Sequence, residues 1–66
     1  MAEIDDLKAE IRKLSAKATT AKMNLHDLSE ELPINWCTIP DVAQATLDAF
    51  AALESARARL KALETA

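Results

Sequence analysis

The first half of the chain carries apolar residues at spacings that alternate between three and four without a break. This alternation places every member on one stripe of a helix, and it is the heptad pattern of left-handed helix packing. It predicts one continuous helix over residues 3–32. The members of this first seam are Ile4, Leu7, Ile11, Leu14, Ala18, Ala21, Leu25, Leu28 and Leu32.

The second half repeats the pattern and predicts a second helix over residues 39–64. Thr38, followed three residues later by Asp41, has the spacing of a capping box, and Pro40 suits the first turn of a helix. The members of this second seam are Val42, Thr46, Ala49, Leu53, Ala56, Leu60 and Leu63.

Both prolines of the chain lie between the two seams. Pro33 ends the first helix, because the residue before a proline is pushed out of the α region. The linker over residues 33–38 is short, and a short link makes neighbouring helices antiparallel. The sequence therefore predicts an all-α fold, in which residues 1–66 form a single domain, a two-helix antiparallel hairpin.

One hairpin leaves apolar surface uncovered. A chain of 66 residues has a small core and usually needs a disulfide, a metal or a partner, and its single cysteine, Cys37, excludes a disulfide within one chain. A second apolar stripe runs beside the seam of helix 2, and a tryptophan stands at the turn. We therefore predict a four-helix, rod-like homodimer, with a higher oligomer left open. The predicted interface residues are Trp36, Val42, Ala43, Leu47 and Phe50.

The charged residues are unevenly distributed. All eight Lys and Arg residues lie within residues 8–22 and 57–61, whereas residues 23–56 hold six acids and no Lys or Arg. In an antiparallel hairpin this distribution predicts a rod with a basic open end and an acidic turn end. The acidic end either aids solubility and orients the assembly, or it meets a cation or a basic partner surface.

One cluster has the composition of a metal site. His26 and Glu30 share a helix face, and Asp27 lies beside them. Histidine with carboxylates suits iron, zinc or nickel, and the ion predicted for this cluster is iron or nickel. The heptad places all three residues on the outward face, so a second chain has to complete such a site. The alternative is a solvated acidic face in which His26 pairs with Glu30.

Other function classes have less support. The chain has no glycine and hence no glycine-rich phosphate loop, and its serines lack a signature of activation, so we expect no enzyme. The acidic balance argues against nucleic acid. No apolar run approaches a membrane span, no signal peptide is visible, and a lone thiol fits a reducing compartment, so we expect a cytoplasmic protein.

Cys37 is expected as a small apolar filler under the turn, with a metal ligand or a redox thiol as alternatives.

The segment Leu25-His26-Asp27-Leu28-Ser29-Glu30-Glu31-Leu32-Pro33, together with Lys13-Leu14, Lys17-Ala18, Lys22-Met23 and the aromatic Trp36, resembles the Rop-like family of small proteins encoded in nitrogen-fixation operons. The resemblance spans nearly the whole chain, and its specific part is the Leu-His-Asp-Leu and Leu-Pro core. It implies antiparallel hairpins that pair into rod-like dimers. The family name records a structural likeness to the plasmid regulator Rop and does not imply RNA binding.

The resemblance also implies a role in nitrogen fixation. Our leading hypothesis is a non-enzymatic interaction module that serves nitrogenase maturation or a neighbouring electron-transfer step by binding another protein. The alternative hypothesis is a metal-handling protein that binds iron or nickel through His26, Asp27 and Glu30 of paired chains. A third hypothesis, RNA regulation by structural analogy, predicts binding that weakens steeply with salt.

Overall fold

The computed structural model describes residues 2–65 and consists of two long helices joined by a tight connection. Helix α1 covers Ala2–Glu31, a short 3₁₀ helix covers Trp36–Thr38, and helix α2 covers Ile39–Thr65. No strand occurs within the described range. The two helices lie side by side in a rod of 49 × 14 × 12 Å, whose length is that of a single helix of 30 residues.

The helices run antiparallel, with a register that two contacts define. The Thr46 hydroxyl lies 3.3 Å from the carbonyl oxygen of Ala21, and an Arg59 guanidinium nitrogen lies 3.6 Å from a carboxylate oxygen of Glu10. Residues therefore lie level when their numbers add to about 68. The predicted all-helical hairpin is what the described chain forms.

The connection reverses the chain without a glycine. Asn35 takes the left-handed conformation, with φ 61° and ψ 24°, which asparagine tolerates better than most residues. The backbone N–H groups of Ile34 and Trp36 donate to the carbonyls of Glu31 and Pro33, at 3.0 and 3.3 Å. The first of these bonds satisfies a carbonyl that the end of α1 leaves unpaired, and the second lies within the connection.

Thr38 has a different role from the one its spacing suggested. Its hydroxyl donates to the carbonyl oxygen of Asn35 at 2.7 Å, alongside a backbone bond between the same two residues at 3.0 Å. The side chain therefore closes the turn before α2. The capping-box bond expected between Thr38 and Asp41 is not among the side-chain hydrogen bonds of residues 2–65.

The core follows the two predicted seams. Every buried side chain belongs to them, and the other seam members are half-buried, except Leu32 and Leu63 at the ends. Near the middle, Ala18 and Ala56 are 1% and 0% exposed, so small side chains lie where the helices approach. The buried residues are Leu7, Ala18, Leu28, Leu53 and Ala56.

Replacing a seam alanine by leucine should destabilise the hairpin. Ala56 is fully buried, so Ala56→Leu adds volume where no space exists, and we expect a loss of about 1–3 kcal/mol in the free energy of unfolding. Ala58→Leu, on the exposed face of the same helix, is the matched control and should change stability little. Urea unfolding followed by circular dichroism measures both. Equal stability of the two variants would show that the helices do not pack closely at Ala56.

Candidate functional site

An apolar patch lies exposed on the turn half of the rod. Trp36 is 66% exposed, Leu47 is 63% exposed and Phe50 is 37% exposed, and Ala43 between them is exposed as well. Val42, the remaining residue of the predicted interface, is half-buried in the seam between the helices. We define the apolar patch as Trp36, Ala43, Leu47 and Phe50. Burying a side chain such as Leu or Phe stabilises by roughly 1.5–3 kcal/mol relative to leaving it in water, so covering this patch in a contact is favourable.

The two long sides of the rod differ in charge. In an antiparallel pair, the heptad positions that lie on one side of the α1 seam are next to the equivalent positions of α2, so each long side of the rod is formed by both helices. The Glu10–Arg59 ion pair lies on one of these two sides. We call this side the acidic flank. It carries seven acids and three cations, a formal charge of −4. Its charged members are Glu3, Asp6, Glu10, Lys13, Lys17, Asp27, Glu31, Asp41, Asp48 and Arg59.

The opposite side, the basic flank, carries five cations and three acids, a formal charge of +2. Ala43, Leu47 and Phe50 of the apolar patch lie on this flank by their heptad positions. The apolar patch and the acidic flank therefore occupy different sides of the rod. The charged members of the basic flank are Asp5, Lys8, Arg12, Lys22, Glu54, Arg57, Lys61 and Glu64.

The register also corrects the predicted charge difference between the two ends. Asp48 and Glu54 lie alongside α1 residues 13–20, and Glu54 pairs with Arg57 at 3.2 Å. The turn half, residues 18–50, holds five acids and Lys22, a charge of −4, so this end is acidic. The remaining residues hold seven cations and six acids, a charge of +1, so the open end is almost neutral and not the basic end that we predicted.

His26 lies between two carboxylates on the outward face of α1. Its Nδ1 atom is 3.6 Å from an Asp27 carboxylate oxygen, and its Nε2 atom is 3.4 Å from a Glu30 carboxylate oxygen. All three side chains are 65–70% exposed. The structure thus brings together the three residues of the predicted metal cluster. Within residues 2–65 of one chain, no group of three or more His, Cys, Asp or Glu side chains is arranged to hold an ion.

Cys37 is exposed at the turn, next to the exposed Trp36. The expectation that it fills space under the turn is therefore wrong for a single chain. The connection is too short to fold back over the helix ends, so it offers no interior for a small side chain.

Two grooves open along the acidic flank. The larger, of about 500 Å³, lies at the open end of the rod. Leu7 and Leu63 contribute to its floor, where the ends of the two helices leave Leu63 36% exposed. The smaller, of about 210 Å³, lies nearer the turn, beside Asn24 and Asp41. The lining of the larger groove consists of Glu3, Asp6, Leu7, Glu10, Arg59, Ala62 and Leu63.

Sequence reasoning found the patch and the histidine cluster but missed the open-end groove and the charge difference between the flanks. A signal for the flanks was present, because acids and cations segregate by heptad position. The groove had no such signal, because its lining joins the start of α1 to the end of α2 and depends on how the two helices pack. Neither α1 nor α2 contains a stretch that is long and apolar enough to cross a membrane.

Comparison with known proteins identifies relatives over nearly the whole chain. A UPF0437 protein of Azorhizobium caulinodans is 62% identical over 64 residues, covering 97% of this chain and 93% of that protein. A UPF0437 protein of Sinorhizobium fredii is 47% identical, covering 97% of this chain and 96% of its own length. A Frankia alni protein, named for its place in the nifX-nifW intergenic region, is 56% identical over 41 residues, 62% of this chain and 50% of that protein.

No solved structure matches the chain. The family model described as Rop-like matches residues 2–65, the same range over which the two antiparallel helices are described. The resemblance seen in the sequence is thereby confirmed, and the chain belongs to the Rop-like family.

Proposed function

We propose that this protein is a non-enzymatic protein-interaction module that acts as a homodimer and has an accessory role in nitrogen fixation. The observation that carries the proposal is the exposed apolar patch on a rod whose other long side is strongly acidic. The Frankia relative adds context, since its name places it between nifX and nifW. We propose that the module acts either in nitrogenase maturation or in electron-transfer support.

The apolar patch supports self-association. Among residues 3–65 a single hairpin buries only five side chains, whereas Trp36 and Leu47 expose about two thirds of their surface. A two-fold contact brings the patch of one copy against that of another and covers both at once. A standard interface buries about 800 Å² per partner, which is roughly a sixth of the 5018 Å² surface of this chain. The product is the four-helix, rod-like homodimer.

The dimer leaves the acidic flank free. Ala43, Leu47 and Phe50 lie on the basic flank, so pairing through them keeps the acidic flank exposed along both hairpins of the assembly. Charge complementarity across an interface raises the association rate and suppresses wrong partners more than it adds affinity. We propose that a cytoplasmic protein partner is recognised in this way.

A second candidate is metal handling through the histidine cluster. The supporting observation is that both ring nitrogens of His26 lie within 3.6 Å of carboxylate oxygens of Asp27 and Glu30. A ferrous or nickel ion suits this donor set, and the equivalent residues of a second chain supply the remaining ligands. The competing role for the cluster is a solvated ion pair, which contributes at most about 1 kcal/mol at such exposure.

A charge placed in the apolar patch should abolish the dimer. Leu47→Asp introduces a carboxylate that has to lose its water in the interface, so we expect monomers or unfolded chains. Ala51→Asp, on the outward face of the same helix, is the matched control and should remain dimeric. Sedimentation velocity together with circular dichroism distinguishes the three states. A Leu47→Asp protein that sediments as a stable dimer would place the interface elsewhere.

The protein-interaction role is tested in cells. A tagged protein is recovered from cells that fix nitrogen and from cells supplied with ammonium, and its companions are quantified by mass spectrometry. We expect an assembly or electron-transfer protein of nitrogenase to be enriched only in the nitrogen-fixing cells. The proposal fails if nothing is enriched and deletion of the gene leaves nitrogen fixation unchanged.

Metal handling is tested by titration calorimetry of the purified dimer with Fe(II) under anaerobic conditions and with Ni(II). If the cluster is a site, His26→Ala should weaken binding of the metal at least tenfold, because the imidazole is the one nitrogen donor that each chain contributes. Asn24→Ala, two residues before His26 and outside the cluster, serves as the control. Equal binding by the His26→Ala protein and the parent would dismiss this second candidate.

A further inference from the structure

We propose that the open-end groove of the acidic flank is the docking site for a basic amphipathic segment of the protein partner. This inference rests on the proposed function and adds to it the binding surface and the chemical character of the partner. It is drawn from the shape and the charges of the groove, which the family match does not describe.

The groove combines an apolar floor with a charged rim. Leu7, Ala62 and Leu63 supply the floor, and the volume of about 500 Å³ is within the range of sites that accept a compact ligand. Leu63 is 36% exposed, so the floor is accessible from solvent. A free cation makes no favourable contact with an apolar floor of this kind, whereas a charged side chain with an apolar stem does.

The rim selects positive charge. Glu3, Asp6 and Glu10 border the groove, and among residues 2–65 Arg59 is the one cation in its lining. Arg59 already pairs with Glu10 at 3.6 Å, whereas Glu3 and Asp6 form no ion pair within residues 2–65. Acidic side chains at the start of a helix also interact favourably with the helix dipole. The dipole explains why acids lie in this turn, but it does not explain why an apolar groove lies beside them.

Lysine and arginine satisfy both parts of the site. Their methylene stems pack along apolar surface while the charged head reaches outward to solvent or to a carboxylate. In this groove the stem lies on Leu7 and Leu63, and the head meets Glu3 or Asp6. A partner helix with cations on one face and an apolar stripe beside them therefore fits the groove and is attracted by the three acids of its rim.

The position of the groove agrees with this assignment. It lies at the end opposite the turn and on the flank opposite Ala43, Leu47 and Phe50. Self-association through the apolar patch therefore leaves one groove available on each chain. Nucleic acid, which is itself an anion, is repelled by the same carboxylates.

The test uses the intact protein and a synthetic helical peptide with lysine on its polar face and leucine on its apolar face. Binding is measured by titration calorimetry at low and at high salt. The parent should bind the peptide, and binding should weaken as salt rises, because exposed charges are screened. Spermidine provides a polycation without an apolar face. Equal affinity for spermidine and the peptide, or no binding of the peptide, would overturn the inference.

Two matched pairs of variants locate the site. Glu3→Gln with Asp6→Asn removes two charges from the rim, and Asp5→Asn with Glu64→Gln removes two charges from the basic flank at the same end. We expect the rim variant to bind the peptide roughly fivefold more weakly than its control. Ala62→Phe fills the groove without altering charge and should weaken binding by a similar factor, whereas Ala58→Phe on the outward face should not. Indistinguishable affinities within either pair would place the binding elsewhere.

The same rim variant separates this inference from the proposed function. When it serves as bait in nitrogen-fixing cells, it should lose the partner that the parent enriches. Recovery of that partner by the rim variant as efficiently as by the parent would overturn the docking site and leave the interaction module standing. The absence of any partner with the parent itself would count against the proposed function, and the peptide titration would still decide the character of the groove.

Discussion

The close contact between the two helices at their alanines determines most of what the molecule presents to its surroundings. Ala18 and Ala56 are almost completely buried, and the two seams pair along the rod. Small residues let the helices approach, and this approach makes the hairpin thin. A thin hairpin buries one stripe per helix, so within residues 3–65 the apolar residues outside the two seams lie at or near the surface.

Part of that surplus lies together. Ala43, Leu47 and Phe50 lie beside the seam of α2 on the basic flank, with Trp36 at the turn, whereas Met23 is exposed on the outward face of α1 and Ile34 at the connection. An adhesive surface on one side favours a closed pair of hairpins, because a two-fold contact covers both patches and leaves none for further growth. The seven acids of the opposite flank repel one another between copies, which disfavours association through that side.

The two flanks therefore suit two kinds of contact. Apolar contacts are strong and non-directional, so they suit a permanent pairing of identical chains. Charged contacts are screened by salt and contribute more to rate and specificity, so they suit a partner that binds and leaves. The interaction module proposed above uses the first kind for its own stability and the second kind for its partner. The exposed histidine cluster lies between the flanks, on the outward face of α1, and needs donors from another chain before it is a metal site.

The sequence by itself determined the secondary structure, the hairpin and the seam. Local rules suffice for these features, because heptad spacing selects the buried stripe and a proline at position 33 ends the first helix. The Leu-His-Asp-Leu and Leu-Pro core also carried the family. The sequence equally placed His26, Asp27 and Glu30 on one outward surface, since helical periodicity alone brings them together.

Only the tertiary structure decided which residues lie level across the seam. The register placed Glu54 among the cations of the open half and replaced a predicted difference between the ends with one between the flanks. The connection between the helices leaves Cys37 exposed, and within it Thr38 bonds to Asn35 in place of the expected cap. The open-end groove belongs to the same class of feature. Its lining combines two chain segments that are far apart in sequence, with Glu3 and Leu63 separated by 60 positions, and no local pattern brings such segments together.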